Sequence, residues 1–103
     1  MRDNYRESLE NVVTELVELT TLVQVAVRDA TRALLEADLE IAERVISADA
    51  EIDRRHDALE AQCFSLIARQ APVAGELRTV VAAFRMIADL ARMGDLAAHV
   101  AKI

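Results

Sequence analysis

Very little in this sequence can make a turn. Its 103 residues include two glycines and one proline, and aromatics amount to 3% with no tryptophan. Strand-and-turn architectures need more of all of these, so an all-α chain is predicted. The single cysteine, Cys63, cannot close an internal disulfide and reads as a small buried hydrophobe. Long apolar runs are missing too. The uncharged stretch Leu19–Val27 falls far short of the ~18 residues of a membrane span. Met1–Glu10 is charged throughout, unlike the apolar centre of a secretory signal. The net charge of −6 excludes the phosphate neutralisation that nucleic-acid binding requires. The expectation is a cytoplasmic domain with neither membrane insertion nor a nucleic-acid partner.

What the chain does have is amphipathic period. Hydrophobic residues make up 53% of it, chiefly Ala, Val and Leu, and they recur at alternating spacings of three and four. Tyr5, Leu9, Val12, Leu16, Leu19, Val23, Ala26, Ala30 and Ala33 form one seam. Ala42, Val45, Asp49, Ile52, His56, Leu59, Cys63 and Leu66 form a second. Val73, Leu77, Val80, Phe84, Ile87, Ala91, Gly94 and Ala98 form a third. That spacing keeps one face of a 3.6-residue helix turned toward a partner.

Local signals bound the helices. Asp3 or Asn4 can cap the first helix and Asp38 the second, with Glu40 and Glu43 near its positive end. Pro72 lacks an N–H that a first turn leaves unsatisfied anyway, so it is placed at the start of the third. The helices are therefore predicted at about 3–36, 38–70 and 72–102, breaking near Ala37 and Ala71. Connections this short force antiparallel neighbours, giving a single-domain, up-down-up three-helix bundle.

That topology places side chains without coordinates. If helices 2 and 3 fold back near Ala71, positions summing to about 143 lie side by side, so Asp49 faces Gly94 and Asp95. Asp53 lies one turn beyond Asp49 on the same face. Three carboxylates then converge from two helices. Unpaired, they raise each other's pKa, and a cation of Mg, Mn, Ca or iron type relieves the repulsion. His56 and His99 are close enough to be further ligands or supporting groups, although His56, on a core face, also reads as a packed histidine. The competing reading is an ion-pair network. Arg44, Arg54 and Arg92 are available to the acids, and Arg78, Arg85 and Arg92 could form a stripe against Asp57 and Glu51. Gly94 inside a helix costs about 1 kcal/mol relative to Ala, which suggests a close approach of helices there.

The order of motifs resembles a known family. Asp38-Leu-Glu-Ile-Ala-Glu-Arg-Val-Ile, Asp49-x-x-Ile-Asp53, Gln70-Ala-Pro-Val-Ala-Gly-Glu-Leu-Arg78 and Arg92-Met-Gly-Asp-x-Ala-x-x-Val-Ala look like PhoU proteins. The resemblance runs over nearly the whole chain and corresponds to the first of that family's two three-helix repeats. It implies a non-enzymatic, cytoplasmic negative regulator. Such a protein couples the phosphate ABC transporter, through its ATPase subunit, to a sensor histidine kinase. It also implies metal ligation through a Glu/Asp-x-x-x-Asp motif. That motif is intact as Asp49 and Asp53 in helix 2. In helix 3 Ala91 stands at the first acid and Asp95 remains, so the resemblance implies Asp49, Asp53 and Asp95 as ligands of a weakly held Mg, Mn or Fe ion.

Two other classes fit parts of the pattern. A plain oligomerising bundle shares every feature except the carboxylates and the motifs. A helical chorismate mutase is near this length, but its dianionic substrate needs inward-pointing basic residues, whereas Arg28 and Arg32 lie off the first seam. Helix 1 also carries Val13, Val17, Leu22 and Val25 outside its seam, a wider stripe than a three-helix core needs, and a homodimer is expected from it.

Overall fold

The computed structural model describes residues 2–70, 72 and 74–103, with the backbone alone for residues 2, 3 and 70. Three helices account for nearly all of it: α1 (Arg2–Glu36), α2 (Leu39–Gln70) and α3 (Ala74–Lys102). At about 1.5 Å per residue they run from about 44 Å for α3 to about 52 Å for α1, matching a molecule 53 Å along its major axis. Every helix packs on both others, as an up-down-up three-helix bundle requires.

Apolar burial holds the bundle together. From α1, every residue of the predicted seam is buried except Leu9, which packs against the core's edge. From α2, Val45, Ile52, Leu59, Cys63 and Leu66 are buried, while Asp49 and His56 are only partly covered. The α3 seam is rotated from the predicted one. Val80, Ala83, Ile87, Leu90, Gly94 and Ala97 line the core, whereas Leu77 is 39% exposed and Phe84 sits at the edge. Phe84 meets Phe64 of α2 edge to face, ring centroids 4.9 Å apart. The cause is the run Val80-Val81-Ala82-Ala83-Phe84, whose five apolar side chains do not by themselves define one face. Val73, the first residue of the predicted seam, lies outside the described residues.

The turn between α1 and α2 is closed by three hydrogen bonds and one unusual backbone angle. Ala37 has a φ of 52°, the left-handed conformation that ends many helices. The Asp38 N–H donates to the Ala33 carbonyl at 3.0 Å, satisfying an acceptor in the last turn of α1. The Asp38 carboxylate in turn accepts from the N–H groups of Glu40 and Ile41 at 3.0 and 3.2 Å, capping α2 as predicted.

Two predicted boundaries differ. Asn4 does not cap α1, because the chain is already helical from Arg2, and the Asp3 side chain lies outside the described residues. Pro72 stands before α3 rather than in its first turn. Ala74 has a left-handed φ of 42°, and helical hydrogen bonding begins only from there. Ala71, the predicted pivot, is outside the described residues. The wider break shifts the register of α2 against α3: a side chain on Gly94 would meet Ile52, and 52 and 94 sum to 146 rather than 143.

Polar contacts mark the α1–α2 flank. Gln62 donates to Glu15 at 2.8 Å, and Arg55 bridges Glu18 of α1 and Glu51 of its own helix at 3.1 and 2.8 Å. No helix among the described residues is long and apolar enough to cross a membrane.

Candidate metal centre

Asp49 interrupts the core seam of α2, so its carboxylate leaves the bundle interior between α2 and α3. One α-helical turn further, Asp53 projects from the same flank, and Asp95 reaches across from α3. One carboxylate oxygen from each of the three lies within 4.8 Å of the others. Asp53 and Asp95 are exposed and Asp49 is partly buried. The three carboxylates thus meet from two helices, as the four-residue spacing of Asp49 and Asp53 and the antiparallel course of α2 and α3 predict.

Burial and charge act on Asp49 in the same direction. Its Oδ1 is fully covered and accepts no hydrogen bond from any described residue. Desolvation raises its pKa above the ordinary 3.8, and the Asp53 and Asp95 carboxylates raise it further. Lys102 and His99 act the other way, without reversing the shift. A partly buried carboxylate with one covered, unpaired oxygen, grouped with two further carboxylates, is a donor set of hard oxygens, suited to Mg, Mn, Ca or iron.

The arginines expected to neutralise these acids are engaged elsewhere or turned away. Arg54 pairs with Glu51, and Arg92 pairs with Asp89 on its own helix at 2.9 Å. Among the described residues, none of the ion pairs involves Asp49, Asp53 or Asp95. The predicted stripe of Arg78, Arg85 and Arg92 against Asp57 and Glu51 does not form. Val80, Ile87 and Gly94, two positions on from those arginines, are buried, which turns the arginines to the solvent side of α3.

His56 packs at the edge of the seam with its side chain 21% exposed, apart from the three carboxylates. Its Nδ1 lies 3.0 Å from the Asp57 carboxylate and its Nε2 3.9 Å from Glu60, and it is not part of the carboxylate group. His99 is exposed and influences Asp49 only through its charge. Lys102, not singled out in the sequence, acts on Asp49 likewise. The signal was available, since Lys102 stands seven residues beyond Asp95 and so on the same flank of α3. Gly94 sits beside the site. A Cβ there would stand 3.1 Å from Cγ2 of Ile52, so the glycine lets α2 and α3 approach closely enough for their carboxylates to meet.

A bundle of three long helices, with acids rather than arginines on the flank between α2 and α3, defines a small helical domain with a candidate cation site. The comparisons give it a family. The PhoU domain matches residues 16–103. Over all 103 residues the chain is 48% identical to the phosphate-specific transport system accessory protein PhoU homolog 2 of Mycobacterium tuberculosis, covering 48% of that protein. It is 47% identical to PhoU homolog 1 of Mycobacterium leprae over 99% of its own length and 46% of the relative's. The PhoU homolog of Aquifex aeolicus is 36% identical, over 93% of this chain and 43% of that one. This chain belongs to the PhoU family. It spans about half the length of the curated relatives it matches.

Proposed function

We propose that this chain is a non-enzymatic regulator of phosphate uptake that binds a divalent or iron-type cation at Asp49, Asp53 and Asp95. The meeting of the Asp49 carboxylate, whose covered Oδ1 is unpaired, with those of Asp53 and Asp95 is the observation that carries the cation reading. The relatives' description as accessory proteins of phosphate-specific transport supports the regulatory one. In this reading the domain works in the cytoplasm as a homodimer. It contacts the ATPase subunit of the phosphate ABC transporter and a sensor histidine kinase, holding the phosphate-starvation response silent when phosphate is ample. Ala91 leaves one acid fewer on α3 than the family pattern, so the ion is held weakly, by few protein oxygens.

The regulatory role is tested by expressing the 103-residue chain in a bacterium deleted for its own PhoU protein and carrying a phosphate-starvation reporter. Restored silence in high phosphate is the expected result. A reporter that stays high while the chain accumulates as folded protein contradicts the role.

A further inference from the structure

Three carboxylates meet between α2 and α3, and no arginine answers them. Arg54 pairs with Glu51, Arg55 with Glu18 and Glu51, and Arg92 with Asp89. A cation of another kind stands on the same side. Lys102 is the single lysine of the 103 residues, and it is exposed. Among the described residues its ammonium belongs to no ion pair.

Helix geometry brings this ammonium toward the acids. Lys102 lies seven residues beyond Asp95, close to two full turns, so both project from the α2 flank of α3. The approach of Gly94 to Ile52 sets the register between the helices. Positions summing to 146 lie level, which puts Asp49 beside Ala97. Lys102 is then about 7 Å further along the bundle. Side chains on a helix lean toward its N-terminus. Because α2 and α3 are antiparallel, Asp49 leans toward the C-terminal end of α3 while Lys102 leans back along it. The two converge, within the reach of the flexible four-carbon stem of a lysine. Burial raises the Asp49 pKa, and of the two groups that oppose it Lys102 acts more strongly than His99, in keeping with this placement.

We propose that Lys102 is a tethered competitor for the cation site: its ammonium screens Asp49, Asp53 and Asp95 when no ion is bound and is displaced when a divalent ion binds. The inference rests on the cation reading above and adds how the affinity of that site is set. An ammonium brings one positive charge to the carboxylates and a divalent ion brings two, so Lys102 yields. Ion binding is weakened all the same, because Lys102 holds a positive charge nearby that cannot leave the chain. A lysine suits this part better than an arginine. Its ammonium is a compact, strongly hydrated charge, without the planar fork that grips a carboxylate at two points. The acids therefore keep a counter-charge after the ion has gone, and the site releases its ion as the free concentration falls. Acetylation of Lys102, which removes the charge, tightens the site by the same logic.

Calorimetric titration of the 103-residue protein with Mn²⁺ and Mg²⁺ tests the competitor. At low ionic strength Lys102→Met should bind Mn²⁺ about three- to tenfold more tightly than wild type, the effect of one unit charge on a divalent ion about 7 Å away in a largely aqueous setting. Salt at about 0.5 M should narrow that gap to less than about twofold. Lys102→Arg keeps the charge and should stay within about twofold of wild type at either salt concentration. The position is exposed, so helicity by circular dichroism should be the same in all three proteins. Equal affinities in wild type and Lys102→Met overturn the inference while leaving the cation site standing. A Lys102→Arg protein that tightens as much as Lys102→Met overturns it as well, since charge is then not the cause. If neither the wild type nor either variant binds Mn²⁺ or Mg²⁺, the cation reading falls and this inference falls with it.

Discussion

Ala37→Gly is expected to stabilise this protein, although glycine ordinarily weakens a helical chain. Ala37 is exposed and held at φ 52°, between two helices that both depend on its geometry. A Cβ in that conformation costs about 1–2 kcal/mol, which glycine does not incur. Against this stands the greater backbone freedom of glycine in the unfolded chain, worth about 0.5–1 kcal/mol. The net gain is about 0.5–1 kcal/mol, or roughly 2–8 °C in melting temperature for a domain of this size. The hydrogen bond from Asp38 to the Ala33 carbonyl and the Asp38 cap on α2 are kept, since neither uses the Ala37 side chain. Thermal unfolding followed by circular dichroism gives the comparison. Ala61→Gly, the same chemical change at an exposed position inside α2, should lower the melting temperature by a similar amount. If both substitutions destabilise equally, the left-handed assignment at Ala37 is wrong.

Other perturbations report on the candidate site. Gly94→Val should cost about 1–3 kcal/mol in urea unfolding, because Ile52, at 1% exposure, has nowhere to retreat from a side chain arriving at 3.1 Å. An unchanged unfolding midpoint would mean that α2 and α3 are not held closely there. The pH dependence follows from the raised pKa of Asp49. The folded state holds its proton more tightly than the unfolded chain, so stability falls as pH rises from 3.8 through the raised value and stays lower above it. In chelator, Asp49→Asn should remove that fall and leave the protein at least as stable at neutral pH. A mutant weaker than wild type there would mean that the carboxylate is paired.

The first helix was almost wholly legible, because its apolar seam recurs at spacings of three and four without a break from Tyr5 to Ala33. Local chemistry also identified Asp38 as a cap, since a carboxylate before a helix can reach the free N–H groups at that helix's start. α3 was harder. Its alanine-rich run from Val80 to Phe84 is apolar on every side, and only packing against α1 and α2 decides that Ala83 and Leu90 go in while Leu77 stays at the surface. The meeting of Asp49 with Asp95 could be foreseen from chain topology, because two short connections fix which helices are antiparallel. The place of Asp53 could be foreseen as well, since it lies four residues beyond Asp49 on the same helical face. Periodicity placed His56 on the core face, and it lies at that face's edge because its ring nitrogens turn to Asp57 and Glu60.

The central claim is that Asp49, Asp53 and Asp95 hold a cation, and the melting temperature of wild type against Asp49→Asn with Asp53→Asn, with and without Mn²⁺ or Mg²⁺, tests it most directly. The account predicts that metal stabilises the wild-type protein by mass action, about 2.7 kcal/mol at a hundredfold excess over the dissociation constant. It predicts a double variant that ignores metal and, freed of carboxylate repulsion, is as stable as the apo wild type or more so. A wild-type melting curve indifferent to Mn²⁺, Mg²⁺ and iron, together with a weakened double variant, would contradict the claim and make these acids partners in ion pairs.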